Sequence, residues 1–113
     1  MVTEPQVLGK RREADTVLMQ LRIPADLSYL AGHFPGLPIV PGVVLLKWAI
    51  DFGRREFALP IAFKRLSGVK FMRVMPLDTD VKLTLRRAGD ELAFEYDEAG
   101  RSCVQGRALF GSA

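Results

Sequence analysis

Gly32-His33-Phe34-Pro35-Gly36-Leu37-Pro38-Ile39-Val40-Pro41-Gly42, followed at once by Val43-Val44-Leu45-Leu46-Lys47-Trp48-Ala49-Ile50-Asp51-Phe52, is the stretch around which the rest of the chain is arranged. Pro35, Pro38 and Pro41 recur at every third position. Each fixes its own φ, lacks an N–H donor and biases its predecessor toward extended conformations, so the segment reads as a stiff, ordered loop rather than regular strand or helix. It holds the only histidine of the chain. Beyond Gly42 nearly every side of the pattern is apolar, which predicts a helix over about 42–57, buried by something wrapped around it and stopped by Leu59-Pro60. Lys47, Asp51 and either Arg54 or Arg55 fall one turn apart and form a charged stripe along it.

Outward from this helix the chain reads as strands. Val17, Met19, Leu21 and Ile23 alternate with mostly polar neighbours, so Thr16–Ile23 is a strand with one buried face, ended by Pro24. Gln6-Val7-Leu8 is a short edge-strand candidate, and residues 25–30 fit a turn of helix leading into the His33 loop. Further strands are expected at about 62–66, 69–75, 81–87, 92–96 and 102–110. Ala88-Gly89-Asp90 and Glu98-Ala99-Gly100 supply glycine where hairpins need positive φ, and Pro76-Leu77-Asp78 makes a looser corner. One dry sheet face needs a cover, and the long apolar helix is the one element able to provide it. The economical solution is α+β: a curved antiparallel β-sheet wrapped around one central α-helix. Another α+β sandwich with a different strand order fits the same periodicity.

With 113 residues, 49% hydrophobic and 26% charged, the chain fits a single soluble domain over residues 1–113. So small a domain buries a modest core, and self-association would extend it. The apolar run at Val43–Ile50 is too short to cross a bilayer, and the N-terminus lacks a signal-peptide pattern, so no membrane association and a cytoplasmic location are expected. One cysteine, Cys103, and one histidine exclude an internal disulfide and the usual zinc cluster, so no metal and no cofactor are expected. The formal charge of +3 gathers in Lys10-Arg11-Arg12, Arg54-Arg55, Lys64-Arg65 and Arg86-Arg87. Such clusters attract anions, or simply solvate strand faces. Nucleic acid is not expected, since neither a recognition helix nor basic residues interleaved with aromatics are present.

His-Phe-Pro-Gly-x-Pro-x-x-Pro-Gly followed by a hydrophobic helix resembles the hot-dog-fold 3-hydroxyacyl-acyl carrier protein dehydratases. Residues 68–78 resemble the family strand that ends in proline and a turn, and the resemblance spans roughly residues 27–110. It implies the hot-dog fold, an acyl thioester substrate on acyl carrier protein or coenzyme A, and a homodimer or higher even oligomer whose sites draw on two subunits. Where fatty-acid dehydratases carry a catalytic Glu or Asp on the helix, this chain has Lys47, and its nearest carboxylate is Asp51, one turn on. Pro-Gly-Val-Val-x-Leu-x-Trp-Ala-x-Asp-Phe looks closer to the small dehydratase-like proteins of aryl-polyene biosynthetic clusters.

Dehydration of a 3-hydroxyacyl thioester needs a base for the α-proton, an acid for the departing hydroxyl and donors for the thioester oxygen. His33 is the base candidate, because imidazole titrates near neutrality, and the resemblance makes it the family's catalytic histidine. Gly42 opens the helix, where unpaired amides and the dipole meet, so its N–H is a candidate to polarise the carbonyl; equally, the glycine serves the turn. The acid is Asp51 or Lys47, unless the two form an ordinary i, i+4 ion pair. Phe34, Pro41, Gly42 and Val43 are the substrate-binding candidates, and Phe34, Leu37, Val40 and Trp48 line an acyl tunnel or plain core. The alternative function is a non-catalytic hot-dog subunit that binds acyl thioesters or partners an active dehydratase. A thioesterase and a polyproline ligand are weaker fits, since the His-Phe-Pro loop favours dehydratases and the prolines lead directly into a buried helix.

Overall fold

The computed structural model describes residues 3–26, 39–60 and 62–111. In chain order its elements are β1 (Gln6–Glu13), β2 (Thr16–Ile23), β3 (Ile39–Val40), α1 (Gly42–Glu56), β4 (Ala62–Phe71), β5 (Met75–Pro76), β6 (Thr79–Ala88), β7 (Glu91–Glu98) and β8 (Arg101–Gly111). Six strands form one sheet in the order β1-β2-β6-β7-β8-β4, every pairing antiparallel. A separate ribbon joins β3 to β5.

Period-two alternation builds the inner face of this sheet. Val17, Met19, Leu21 and Ile23 of β2, Val81, Leu83 and Leu85 of β6, and Leu92, Phe94 and Tyr96 of β7 are all buried, while their neighbours point outward. Helix α1 covers that face with Val44, Leu45, Trp48, Ala49, Phe52 and Gly53, a single stripe of period 3.6. Close approach at one point demands glycine: a Cβ at Gly53 would collide with Leu92 Cδ2. Tyr96, wholly buried, donates its hydroxyl to the Leu45 carbonyl at 2.6 Å, tying the sheet centre to the helix. Burial pushes that phenol well above its ordinary pKa. Cys103 is buried in β8 as a free thiol.

The expected helix and the strands near residues 16–23, 81–87, 92–96 and 102–110 are present with ends shifted by a few residues at most. Three expectations are corrected. Strand β1 runs to Glu13 rather than stopping at Leu8, because Ala14 takes a φ of 52° and turns the chain without the glycine that would have marked it. The two strands expected at 62–66 and 69–75 are one strand to Phe71, with a bulge between Ser67 and Lys70 where Gly68 takes a φ of 61°. The proline-rich segment is not wholly without strand, since Ile39 and Val40 pair with Pro76 and Met75. The sheet wraps the buried stripe of α1 as expected, and on the opposite side Val43 is 73% exposed among the described residues.

Polar contacts fix the margins. Lys10 and Arg12 of β1 both reach Glu56 at the end of α1, and Arg12 lies 4.8 Å from the Phe57 ring centroid. Arg22 bonds Asp78 and Asp80, bracing the corner where Asp78 takes a φ of 57°. No described helix is long and apolar enough to cross a membrane.

Candidate active site

At its amino end α1 meets the β3–β5 ribbon and the end of β4. Pro41 is the N-cap residue, its carbonyl accepting from Val44 N–H at 3.0 Å and Leu45 N–H at 3.3 Å. No described side chain caps the helix and its first turn holds no acidic residue, so the positive end of the dipole is left to attract an anion or a polarised carbonyl. A cleft of about 280 Å³ opens here, walled by Val40, Pro41, Gly42, Phe71, Arg73 and Val74 among others. Gly42 is required by a close approach: a Cβ there would stand 2.7 Å from Phe71 Cε1. The phenyl ring therefore lies against the helix opening.

Two of these groups carry no mark in the sequence beyond lying within residues 68–78. Phe71 closes one side of the cleft, and Arg73 adds a cation beside the helix dipole. Main-chain bonds hold them in position, Met72 N–H and Arg73 N–H both donating to Cys103 O. Val43, Phe71, Met72 and Val74 are exposed apolar residues at or next to the cleft.

The sequence candidates divide between this cleft and the other side of the helix. Pro41 and Gly42 line it, and Val43 follows them on the outside. His33, Phe34 and Leu37 lie outside the described residues. Lys47 Nζ and Asp51 Oδ2 are 2.5 Å apart in an i, i+4 pair, with neither residue in the cleft lining. Arg55, one turn further, bonds Glu4 through both guanidinium nitrogens at 3.1 and 2.6 Å. The charged stripe thus runs Lys47, Asp51, Arg55 under the N-terminal segment. That segment also accepts from Trp48 Nε1 through Thr3 O at 3.0 Å. Trp48 is a core residue away from the cleft, whereas the buried Val40 lines it. Hydrogen bonding to Arg55 lowers the Glu4 pKa below its ordinary value, and the same bond raises that of Arg55. No group of three potential metal ligands occurs among the described residues.

Residues 9–107 match the family model of ApeI-like proteins, described as ApeI dehydratase. The chain belongs to the ApeI-like dehydratase family. A 3-hydroxyacyl-[acyl-carrier-protein] dehydratase, FabZ, from Chloroflexus aggregans is 36% identical over 78 residues, covering 59% of this chain and 54% of that protein. The chain therefore aligns with about half the length of that curated relative. Among solved structures, a chain of the dehydratase heterocomplex ApeI:P from Xenorhabdus doucetiae superposes with a TM-score of 0.85 at 24% identity, covering 95% of this chain and 97% of that one. An uncharacterised protein from Erwinia carotovora gives a TM-score of 0.80 at 24% identity, over 96% and 97% of the two chains. A thioesterase superfamily protein gives 0.63 at 19% identity, over 90% of this chain and 54% of that one. The ApeI-like chain thus has the hot-dog fold, one helix against an antiparallel sheet, and this likeness extends to thioesterases as well as dehydratases.

Proposed function

We propose that the chain is a 3-hydroxyacyl thioester dehydratase, a hydro-lyase acting on acyl groups carried by acyl carrier protein or coenzyme A in fatty-acid-like or aryl-polyene biosynthesis. The observation that carries this reading is the cleft at the amino end of α1, open at Gly42 and directly downstream of the His33 segment, in a chain of a dehydratase family. His33 removes the α-proton, and Gly42 N–H, aided by the helix dipole, steadies the charge growing on the thioester oxygen. The Cα–H bond electrons form the double bond, the Cβ–O bond breaks, and the hydroxyl leaves as water after taking a proton from an acid. Lys47 and Asp51 pair with each other outside the cleft of their own chain, and, on the two-subunit sites that the family resemblance implies, the proton donor is the Lys47–Asp51 pair of a second copy. The exposed apolar rim and the open edge of β4 suit such a homodimer.

The second reading is a non-catalytic subunit that binds acyl thioesters or partners an active dehydratase in the cytoplasm. It is favoured by the Lys47–Asp51 contact, which engages the chain's candidate acids in an ion pair. The two readings separate in one experiment, loss of water from 3-hydroxyacyl thioesters followed by mass. Under the first, wild type turns over and His33→Ala is slower by about 10²–10⁴-fold, the usual worth of a general base. Comparing Asp51→Asn with Lys47→Ala then names the donor. No turnover by wild type on carrier-linked or coenzyme A substrates supports the subunit reading.

A further inference from the structure

A second depression, of about 440 Å³, lies on the face of the sheet away from α1. Its floor follows from register. Ala93 of β7 pairs with Arg86 of β6 on one side and Arg107 of β8 on the other, so an arginine stands on each flank of a methyl group. One step along, Thr84, Glu95, Gln105 and Lys70 form the next rung across β6, β7, β8 and β4. All of these line the depression.

The bulge in β4 shapes one wall. Gly68, at a φ of 61°, leaves room that Arg107 fills, its Nη2 lying 3.1 Å from where a Cβ would stand. Lys70, Arg86 and Arg107 share the lining with one carboxylate, Glu95, which accepts from Ser102 Oγ at 2.8 Å. Glu91 approaches Arg107 Nε at a long 3.8 Å. Backbones of β6 and β8 stand about 10 Å apart, two strand spacings, so Arg86 and Arg107, one on each side of Ala93, suit an anion with two charged centres.

We propose that this outer-face depression is a binding site for a small diphosphate-bearing anion, held by Arg86, Arg107 and Lys70 over the Ala93 floor. Thr84 and Gln105 offer neutral hydrogen bonds to bridging oxygens or to an attached group. The volume lies within the range of small-molecule sites. The site lies on the opposite face of β4 and β8 from the cleft at Gly42, whose lining takes the next residues, Phe71 and Val104, and it is independent of the reaction proposed there.

The test is titration of the ¹⁵N-labelled full chain with pyrophosphate. Saturable shifts at the amides of Ala93, Gln105 and Arg107, separate from those of Gly42 and Arg73, are expected. Arg86→Gln/Arg107→Gln is expected to weaken binding by at least about tenfold, the loss of one good charge-assisted contact. Ala93→Leu keeps both arginines and fills the floor, and it too is expected to abolish the shifts. The unfolding midpoint of each variant confirms folding. ADP and coenzyme A carry the same diphosphate and are expected to move the same amides, the tighter of the two naming the source. Absence of saturable shifts with pyrophosphate overturns the proposal, as does binding that survives either variant.

Discussion

Tyr96 and Glu4 show how differently a hydrogen bond counts when it is buried and when it is wet. The Tyr96 hydroxyl bonds the Leu45 carbonyl in a dry core, and Phe in its place removes that bond while keeping the ring. Tyr96→Phe is expected to lower stability by about 1–2 kcal/mol in denaturant unfolding, with the slope unchanged. Glu4 pairs with Arg55 at the surface, where such a contact contributes at most about 1 kcal/mol. Its carboxyl has a lowered pKa in the folded chain, beneath the ordinary 4.5. Its contribution is therefore complete above that value and is lost as pH falls through the lowered one. Trp48, the only tryptophan, bonds the neighbouring Thr3 carbonyl, so its emission is expected to shift red over that acid range before global unfolding, and Glu4→Gln to remove the step.

Among the elements, α1 was the most legible, because its apolar run is bounded by Pro41-Gly42 and Pro60 and nothing else in the chain has its length. Hairpins β6–β7 and β7–β8 were equally readable, since Gly89 and Gly100 take positive φ where the sequence offers glycine. Two features were hidden for physical reasons. Strand β1 is exposed along almost its whole length and shows no alternation, and its turn uses Ala14. The β4 bulge looks like a break in sequence, because a glycine with positive φ inside a strand and a glycine between two strands leave the same trace. The cleft was half legible: Pro41 and Gly42 follow from the motif, whereas Phe71 and Arg73 join it only through the fold. Helix-to-sheet distance depends on Gly53, and Gly53→Ala is expected to cost about 1–3 kcal/mol by overpacking against Leu92, lowering the thermal midpoint.

At the scale of the whole molecule, the proposed second copy rests on two described surfaces, the outer strand β4 and the apolar rim of the cleft. Phe63 on that strand is 40% exposed and Val74 beside the cleft is 67% exposed. Sedimentation is expected to give twice the mass of one chain, and Phe63→Lys/Val74→Asp to give monomers that stay folded. A monomer at all concentrations for the wild type would remove the second copy from the proposed reaction. The charge stripe on α1 was visible as spacing, but that the N-terminal segment crosses it was not, since Thr3 and Glu4 carry no pattern. Cys103, sealed inside β8 with a thiol that burial makes harder to ionise, has one last consequence. A disulfide reagent can reach that sulfur only during moments when the sheet parts. Its modification rate is thus an internal clock for opening of the protein, one that a bound acyl chain or a docked neighbour would slow.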